Sequence, residues 1–301
     1  MLDAARALPD PSDASPGQTR PGPAPLRRAA PGLAQPRAEG EGRVAVRLAR
    51  GRSRLRDLYQ RGSAKILLPT TEGAAFEAVL LNTAGGLTGG DRFDWRAEAA
   101  EGAALTLSTQ AAERIYRAHP GEEAQVATRL TAGPGATLDW LPQETILFDG
   151  GALRRRLEIE LDPTASFTGI EPLILGRAAM GETVREAAFR DRWRLRVGGE
   201  LVWADALRLV GPVADIAARP ACFGGGIAAA TLVHAAPGAP ARLAELRGLL
   251  SGHAGVEAGA SALDGLLAAR LVARDGRALR RALIAVLSRF RAGPPPRVWT
   301  M

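Results

Sequence analysis

The chain has 301 residues, 46% hydrophobic and 24% charged, enough apolar material for one or two sizeable cores. Its net charge of +7 could suggest nucleic acid, yet Lys65 is the only lysine among 39 basic residues. The arginines are scattered along the chain, aromatics make up only 5%, and no nucleic-acid module is visible, so no nucleic-acid partner is expected.

A basic surface could equally meet an acidic protein partner. Met1-Leu2-Asp3 lacks the basic and apolar regions of a signal peptide. The longest uncharged run, Pro220 to Ala241, is broken by three glycines, His234 and Pro237, which argues against a membrane span. One cysteine, Cys222, excludes an internal disulfide, fits a reducing compartment, and reads as a buried small residue. The expectation is a soluble cytoplasmic protein.

Residues 1–40 hold eight of the 21 prolines with hardly any apolar periodicity, and predict a disordered tail ahead of a single domain over residues 41–301. From Arg43 the pattern turns to period two, with Val44, Val46 and Leu48 alternating with polar residues. Further short strands are predicted at Lys65–Leu68, Phe76–Leu81, Phe93–Ala97, Ala104–Ser108, Gln125–Thr131 and Thr137–Leu141. The series continues at Leu153–Leu161, Ser166–Ile170, Trp193–Val197, Leu201–Trp203, Ala206–Val210 and Ile227–Val233. Val197-Gly198-Gly199-Glu200 predicts a two-residue hairpin turn.

Phe93–Gln110 lines up with Val126–Gln143, matching Gly102 to Gly135, Leu105 to Leu138 and Gln110 to Gln143. A weaker third copy sets Pro163–Phe167 against Pro134–Leu138. Stacked β-layers, each burying its apolar face on the next, would produce such a repeat. The copies end in polar stretches at Glu113, Glu144 and Glu171. After about residue 235 the period lengthens, and three helical faces are predicted: Leu243, Leu246, Leu249 and Leu250; Leu263, Leu266, Leu267 and Leu271; and Leu279, Leu283, Val286, Leu287 and Phe290. Gly293-Pro294-Pro295-Pro296 ends the last of them near residue 292. The expected fold is mainly β, a solenoid-like stack of layers, with a few C-terminal α-helices.

The chemistry centres on Asn82 to Asp91, where two glycine pairs flank Leu87-Thr88 and imply a tight turn presenting Thr88 and Asp91. Either an oxygen-lined site or an ordinary bulged connection fits this turn. It is neither a P-loop nor a dinucleotide fingerprint. His119, His234 and His253 fall in unrelated segments, each a loop or core position, and no nucleophile motif is present. What remains is carboxylate chemistry beside turns, at Asp91, at Glu144 to Asp149, and at Glu171. Oxygen ligands alone bind a borderline divalent ion loosely, which suits passing a metal along; the same carboxylates could simply accept hydrogen bonds from turn N–H groups.

Asn82-Thr83-Ala84-Gly85-Gly86-Leu87-Thr88-Gly89-Gly90-Asp91 resembles the signature of the urease accessory protein UreD (UreH) family. The resemblance continues, in order, through Ser108–Arg117, Trp140–Gly150, Glu171–Arg177, Met180-Gly181-Glu182 and Pro296-Arg297-Val298-Trp299. Gly151 followed by Ala152 departs slightly from the family's usual Asp-Gly-Ala. The resemblance implies a non-enzymatic maturation chaperone of nickel urease. Such a protein joins the accessory proteins F and G, the latter a GTPase, to apo-urease and carries Ni²⁺ through an internal passage. Mapped by motif, Thr88, Asp91, Glu144, Asp149 and Glu171 are the candidates for lining that passage, with nickel transient and no cofactor tightly bound. Two alternatives stand beside it: a β-solenoid hydrolase of a polar polymer with Asp91 and Glu144 as acid and base, and a structural interaction module without metal.

Overall fold

The structure is a computed structural model and describes residues 36–71, 73–177, 180–291 and 293–300. The predicted tail therefore lies outside the described residues as far as residue 35. Within its last five positions, β1 (Glu39–Ala49) has already begun. It forms a bulged antiparallel hairpin with β2 (Arg52–Gly62), and β3 (Ala64–Leu67) then crosses to a second sheet.

From β4 (Phe76–Asn82) the chain winds in successive coils. The first runs from β4 to β5 (Arg92–Ala99). The second comprises β6 (Ala104–Thr109), β7 (Glu113–Ile115) and β8 (Ala124–Ala132). The third comprises β9 (Thr137–Leu141), β10 (Thr145–Leu147) and β11 (Ala152–Leu161), and the fourth β12 (Ser166–Leu175) and β13 (Glu186–Val197). Like strands stack in parallel: Leu105 pairs with Leu138 and Leu138 with Phe167, which are the pairings predicted from the internal repeat. On the opposite wall, Phe93 pairs with Val126, Val126 with Arg155, and Arg155 with Asp191. Gly102 and Gly135 both sit at positive φ, 65° and 60°, in the equivalent turns of two coils, which explains why both coils carry glycine there.

The predicted hairpin at Gly198-Gly199 leads into β14 (Glu200–Pro212), the edge of a seven-stranded sheet ordered β14-β13-β11-β8-β5-β1-β2. A short helix, α1 (Val213–Ala218), returns the chain to β15 (Ala228–Ala235). Then come α2 (Leu243–Leu250), β16 (Val256–Leu263), β17 (Leu266–Ala273) and α3 (Gly276–Phe290). Strands β15, β17 and β16 extend the second sheet, whose main path is β16-β17-β15-β12-β9-β6-β4-β3. One core lies between the two sheets, built on Phe93, Leu105, Leu138, Phe167, Phe189 and Trp193. The other lies between the second sheet and α2/α3, where Leu246, Leu279, Leu283 and Phe290 meet Ile170, Leu232 and Leu271.

Two local expectations are corrected. The second predicted helical face is the hairpin β16–β17, closed by Asp264-Gly265 between the paired residues Leu263 and Leu266. Leu263, Leu267 and Leu271 are four apart, a spacing that a helix face and a strand face share. The Asp-Gly turn and the buried Ala269 between leucines decide for the strand. Cys222, expected buried, is exposed in the turns that follow α1. The predicted helices at Leu243–Leu250 and Leu279–Phe290 are present; Asp275 caps the second, its carboxylate accepting from the Ala278 N–H at 2.7 Å. No helix of the described residues is long and apolar enough to cross a membrane.

Candidate functional site

The glycine turn after β4 is shaped by contact as much as by dihedral freedom. Gly86 has φ 142°, and a Cβ there would stand 2.4 Å from the Tyr116 ring and 2.9 Å from the Arg114 carbonyl. That close approach lets the Leu87 N–H donate to Arg114 O at 2.7 Å and the Tyr116 N–H to Leu87 O at 2.8 Å. The same corner is repeated above by β7, β10 and the end of β12, so that Ile115, Leu147 and Leu175 stack in register.

The structure distributes the five sequence-predicted site residues over three places. Thr88, Asp91 and Asp149 occupy the outer corner. Asp91 is buried and its two oxygens accept from the Thr88 N–H and the Ala38 N–H, each at 2.8 Å. The Thr88 hydroxyl donates to the Arg117 carbonyl at 2.9 Å, and the Arg117 guanidinium donates to Asp149. Asp149 also accepts from the Arg185 and Glu186 N–H groups at 2.8 and 3.1 Å. The Glu186 N–H, then the Arg185 N–H and the Arg117 guanidinium, hold its carboxyl below the usual aspartate range.

Glu144 points the opposite way, across the second sheet, to Arg280 of α3 at 2.9 Å. Arg280 also donates to Gln143 Oε1 and to the carbonyls of Val298 and Trp299. Glu144 therefore anchors the C-terminal turn, whose Trp299 indole is buried and donates to Leu141 O at 2.9 Å.

Only Glu171 lies in the space between the sheets. Its oxygens accept from the Trp140 indole at 3.1 Å and the Trp193 indole at 2.7 Å, and Arg155 approaches at 2.9 Å. Arg155 also forks onto Asp191 at 2.7 and 3.1 Å and donates to the Thr145 hydroxyl at 2.9 Å. Two buried carboxylates thus share one guanidinium. Burial pushes the Glu171 carboxyl up, Arg155 opposes this, and the neighbouring Asp191 adds to the rise.

This cluster forms one wall of a cavity of about 170 Å³ between the two sheets, which reaches from Asn82 and Glu113 past Gln143 and Thr145 to Arg155 and Glu171. Its other walls are apolar, from Leu80, Phe93, Trp95, Trp140 and Leu153. Glu113, not among the predicted site residues, is the second carboxylate lining it. Burial pushes Glu113 up to about 7, against the opposing hydrogen bond that Asn82 Nδ2 donates at 3.2 Å. The sequence signal for Glu113 was its place in the polar stretch that ends a repeat copy; in the folded register it lies opposite Thr145. Its inward direction follows only from β7, a three-residue strand that exists by stacking on β10.

The described residues contain no group of three or more His, Cys, Asp or Glu placed to hold a metal ion. The expected convergence of Asp91, Glu144, Asp149 and Glu171 on one another is not what the geometry gives: each is taken up by a guanidinium, an indole or backbone N–H donors. His234 is a core position, as expected of a lone histidine. It is buried against the Phe290 ring, and burial pushes its imidazole down to about 4.

The family model described as UreD urease accessory protein matches residues 38–300. The chain is 53% identical to a protein named urease accessory protein UreD from Rhizobium leguminosarum bv. trifolii (strain WSM2304), over 91% of this chain and 99% of that one. It is 54% identical to the like-named protein of Methylobacterium sp. (strain 4-46), over 87% and 95% of the two chains. Identity to the Agrobacterium fabrum (strain C58 / ATCC 33970) protein of the same name is 48%, over 89% and 93%. Membership sets aside the polymer-hydrolase alternative, because this is an accessory family rather than a family of enzymes. The chain belongs to the UreD family of urease accessory proteins, and its role lies in urease maturation.

Proposed function

We propose that this chain is a non-catalytic scaffold that joins the accessory proteins F and G to apo-urease in the cytoplasm, and that its interior cavity forms part of the route by which nickel, as cargo, reaches urease. The observation that carries the reading is the cavity itself. A solenoid interior is ordinarily filled with apolar side chains, yet here Asn82, Glu113, Gln143, Thr145, Arg155 and Glu171 line space between the sheets. Glu113 is the carboxylate best placed to meet a cation, since its side chain accepts hydrogen bonds from the neutral Asn82 amide. A lone carboxylate with amide and hydroxyl neighbours makes a weak oxygen site for a borderline ion, which allows departure as well as entry. Of the residues singled out by motif, Glu171 is the one on this route. Thr88, Asp91 and Asp149 shape the corner that closes it, and Glu144 braces the C-terminal turn.

The corner also supplies a surface for accessory protein F. Tyr116 and Met180 are exposed there, and Arg177 lies 4.4 Å over the Phe148 ring. The test is to obstruct the cavity without touching the outer surface. Ala112→Leu, at the cavity wall, and Glu113→Gln should leave folding and co-purification with the other urease proteins unchanged, while nickel per urease active site falls severalfold by elemental analysis. A well-folded Ala112→Leu/Glu113→Gln protein that supports full nickel loading would sink the passage reading. It would favour instead a structural module without metal, the reading that the engaged state of the other carboxylates supports.

A further inference from the structure

The outward face of the seven-stranded sheet is unevenly charged, and its register shows where. On β5, β1 and β2 three outward arginines have carboxylate partners: Arg96 with Asp94, Arg43 with Glu41, and Arg56 with Glu98. The same holds for Arg129, which meets Asp94 and Glu158, and for Arg196 with Glu160. Arg61 and Arg92 have no such partner among the described residues. At the other end of the sheet arginines lie side by side with fewer acids among them. Arg154 of β11 lies opposite Arg190 of β13, which lies opposite Arg208 of β14. One step along, Arg156 lies opposite Arg192, and Arg194 follows on the same face two residues further. Neighbouring strands are about 4.8 Å apart and outward residues of one strand about 6.6 Å, so six guanidinium groups crowd one small patch.

Glu123 accepts from both Arg154 and Arg190. Arg156, Arg192, Arg194 and Arg208 are exposed and have no hydrogen bond or ion pair among the described residues. Like charges directly opposite one another on a sheet weaken it. Composition alone does not produce this arrangement, because elsewhere on the same face Glu41, Asp94, Glu98 and Glu158 stand among the arginines.

The geometry points to this block as a docking surface for an acidic patch on another protein of the urease-maturation assembly. Guanidinium groups in rows fit carboxylates two-pronged, and arginine, unlike lysine, is enriched where proteins meet. The positions beside the block on β14 are Ala204 and Ala206, small residues that let a partner backbone come close, and no aromatic ring stands among them for stacking on a base. Glu158 and Glu160 border the block on β11, which limits it to a few carboxylates and would repel a phosphate backbone running on past it. This inference concerns assembly and does not depend on the cavity or on nickel.

The test uses the full tagged chain co-expressed with the other products of its urease operon. Charge reversal of Arg156 and Arg192 together (Arg156→Glu, Arg192→Glu) should leave the melting temperature unchanged, since both side chains are exposed, and should lower recovery of at least one identified operon protein by about tenfold or more. Raising the salt from about 0.05 to 0.3 M should reduce the difference between the two proteins. Arg277→Glu with Arg281→Glu on the exposed side of α3, the same change in net charge, should lose no partner. A folded Arg156→Glu/Arg192→Glu protein with undiminished recovery overturns the proposal. So does a variant that keeps every protein partner and loses only the binding of a duplex DNA oligonucleotide, or an equal loss from the α3 control.

Discussion

The two faces of the second sheet carry buried charge under opposite conditions. Asp139 and Trp140 are neighbours on β9 and point to opposite sides. On the outer side Asp139 meets Arg291 at 2.6 Å and accepts from the Thr106 hydroxyl at 3.0 Å, one carboxylate for one guanidinium. Arg291 also donates to the carbonyls of Gly293 and Pro294, so the pair stitches the segment after α3 onto the sheet. On the inner side Trp140 holds Glu171, and there two carboxylates share Arg155 beside a cavity. A balanced pair with every polar group satisfied serves to fix a chain segment in one place. An acid-rich cluster beside open space retains affinity for a further positive charge, whether proton or cation.

Removing the guanidinium is the sharpest way to separate the two. Arg291→Met strands Asp139 without its cation and frees the C-terminal segment, and should cost about 3–5 kcal/mol in chemical denaturation at neutral pH. Arg155→Met is expected to cost less, because Glu171 is already pushed toward protonation and can take up a proton when the guanidinium is gone. A larger loss at Arg155 than at Arg291 would reverse the assignment of which cluster holds the fold together.

Neutralising one acid on each side makes the next contrast. Asp139→Asn removes the charge from a charge-assisted pair and should destabilise by about 1.5–3 kcal/mol. Glu171→Gln lowers the acid excess of the inner cluster while its amide oxygen still accepts one indole N–H, and the net change should stay within about 1 kcal/mol. Equal losses would mean that the inner carboxylate is as fully committed to structure as the outer one.

A pH-dependent contrast lies at the near end of the cavity. The folded state keeps the Glu113 proton up to about pH 7, whereas the unfolded chain releases it near 4.5. The folded state therefore binds more protons between those limits, and the contribution of this group to stability is complete below 4.5 and declines as pH rises to about 7. Glu113→Gln should raise the melting temperature relative to the parent chain at pH 8 and leave it unchanged at pH 4.5. A parallel pair of stability curves would show that Glu113 is solvated rather than enclosed.

These contrasts also show how far residues alone could carry the argument. Alternation is local, so the longer strands from β4 to β15 were legible one by one, and the repeat gave the register between Leu105 and Leu138. The short strands β7 and β10 were not legible, since three residues acquire strand geometry only from a stacked neighbour. β2 was missed because most of its side chains are exposed and leave no apolar period. Leu263 to Leu271 was misassigned because a four-residue spacing satisfies both periods.

For the site, the motifs marked the right corner but not the direction of each side chain. Glu144 and Glu171 occupy comparable places at the ends of repeat copies. One faces α3 and the other the cavity, because one extra residue between β9 and β10, relative to β12, sends a carboxylate to the opposite side of the sheet. Spacing by itself determined the β-rich stack and the helices at Leu243–Leu250 and Leu279–Phe290, and the resemblance of the motifs pointed to the family. Which carboxylates are held by arginine, which line open space, and which arginines on the outer face lack a partner were decided by tertiary packing. The physical reason is that charge is paired across strands far apart in sequence, and only the folded register brings those strands together.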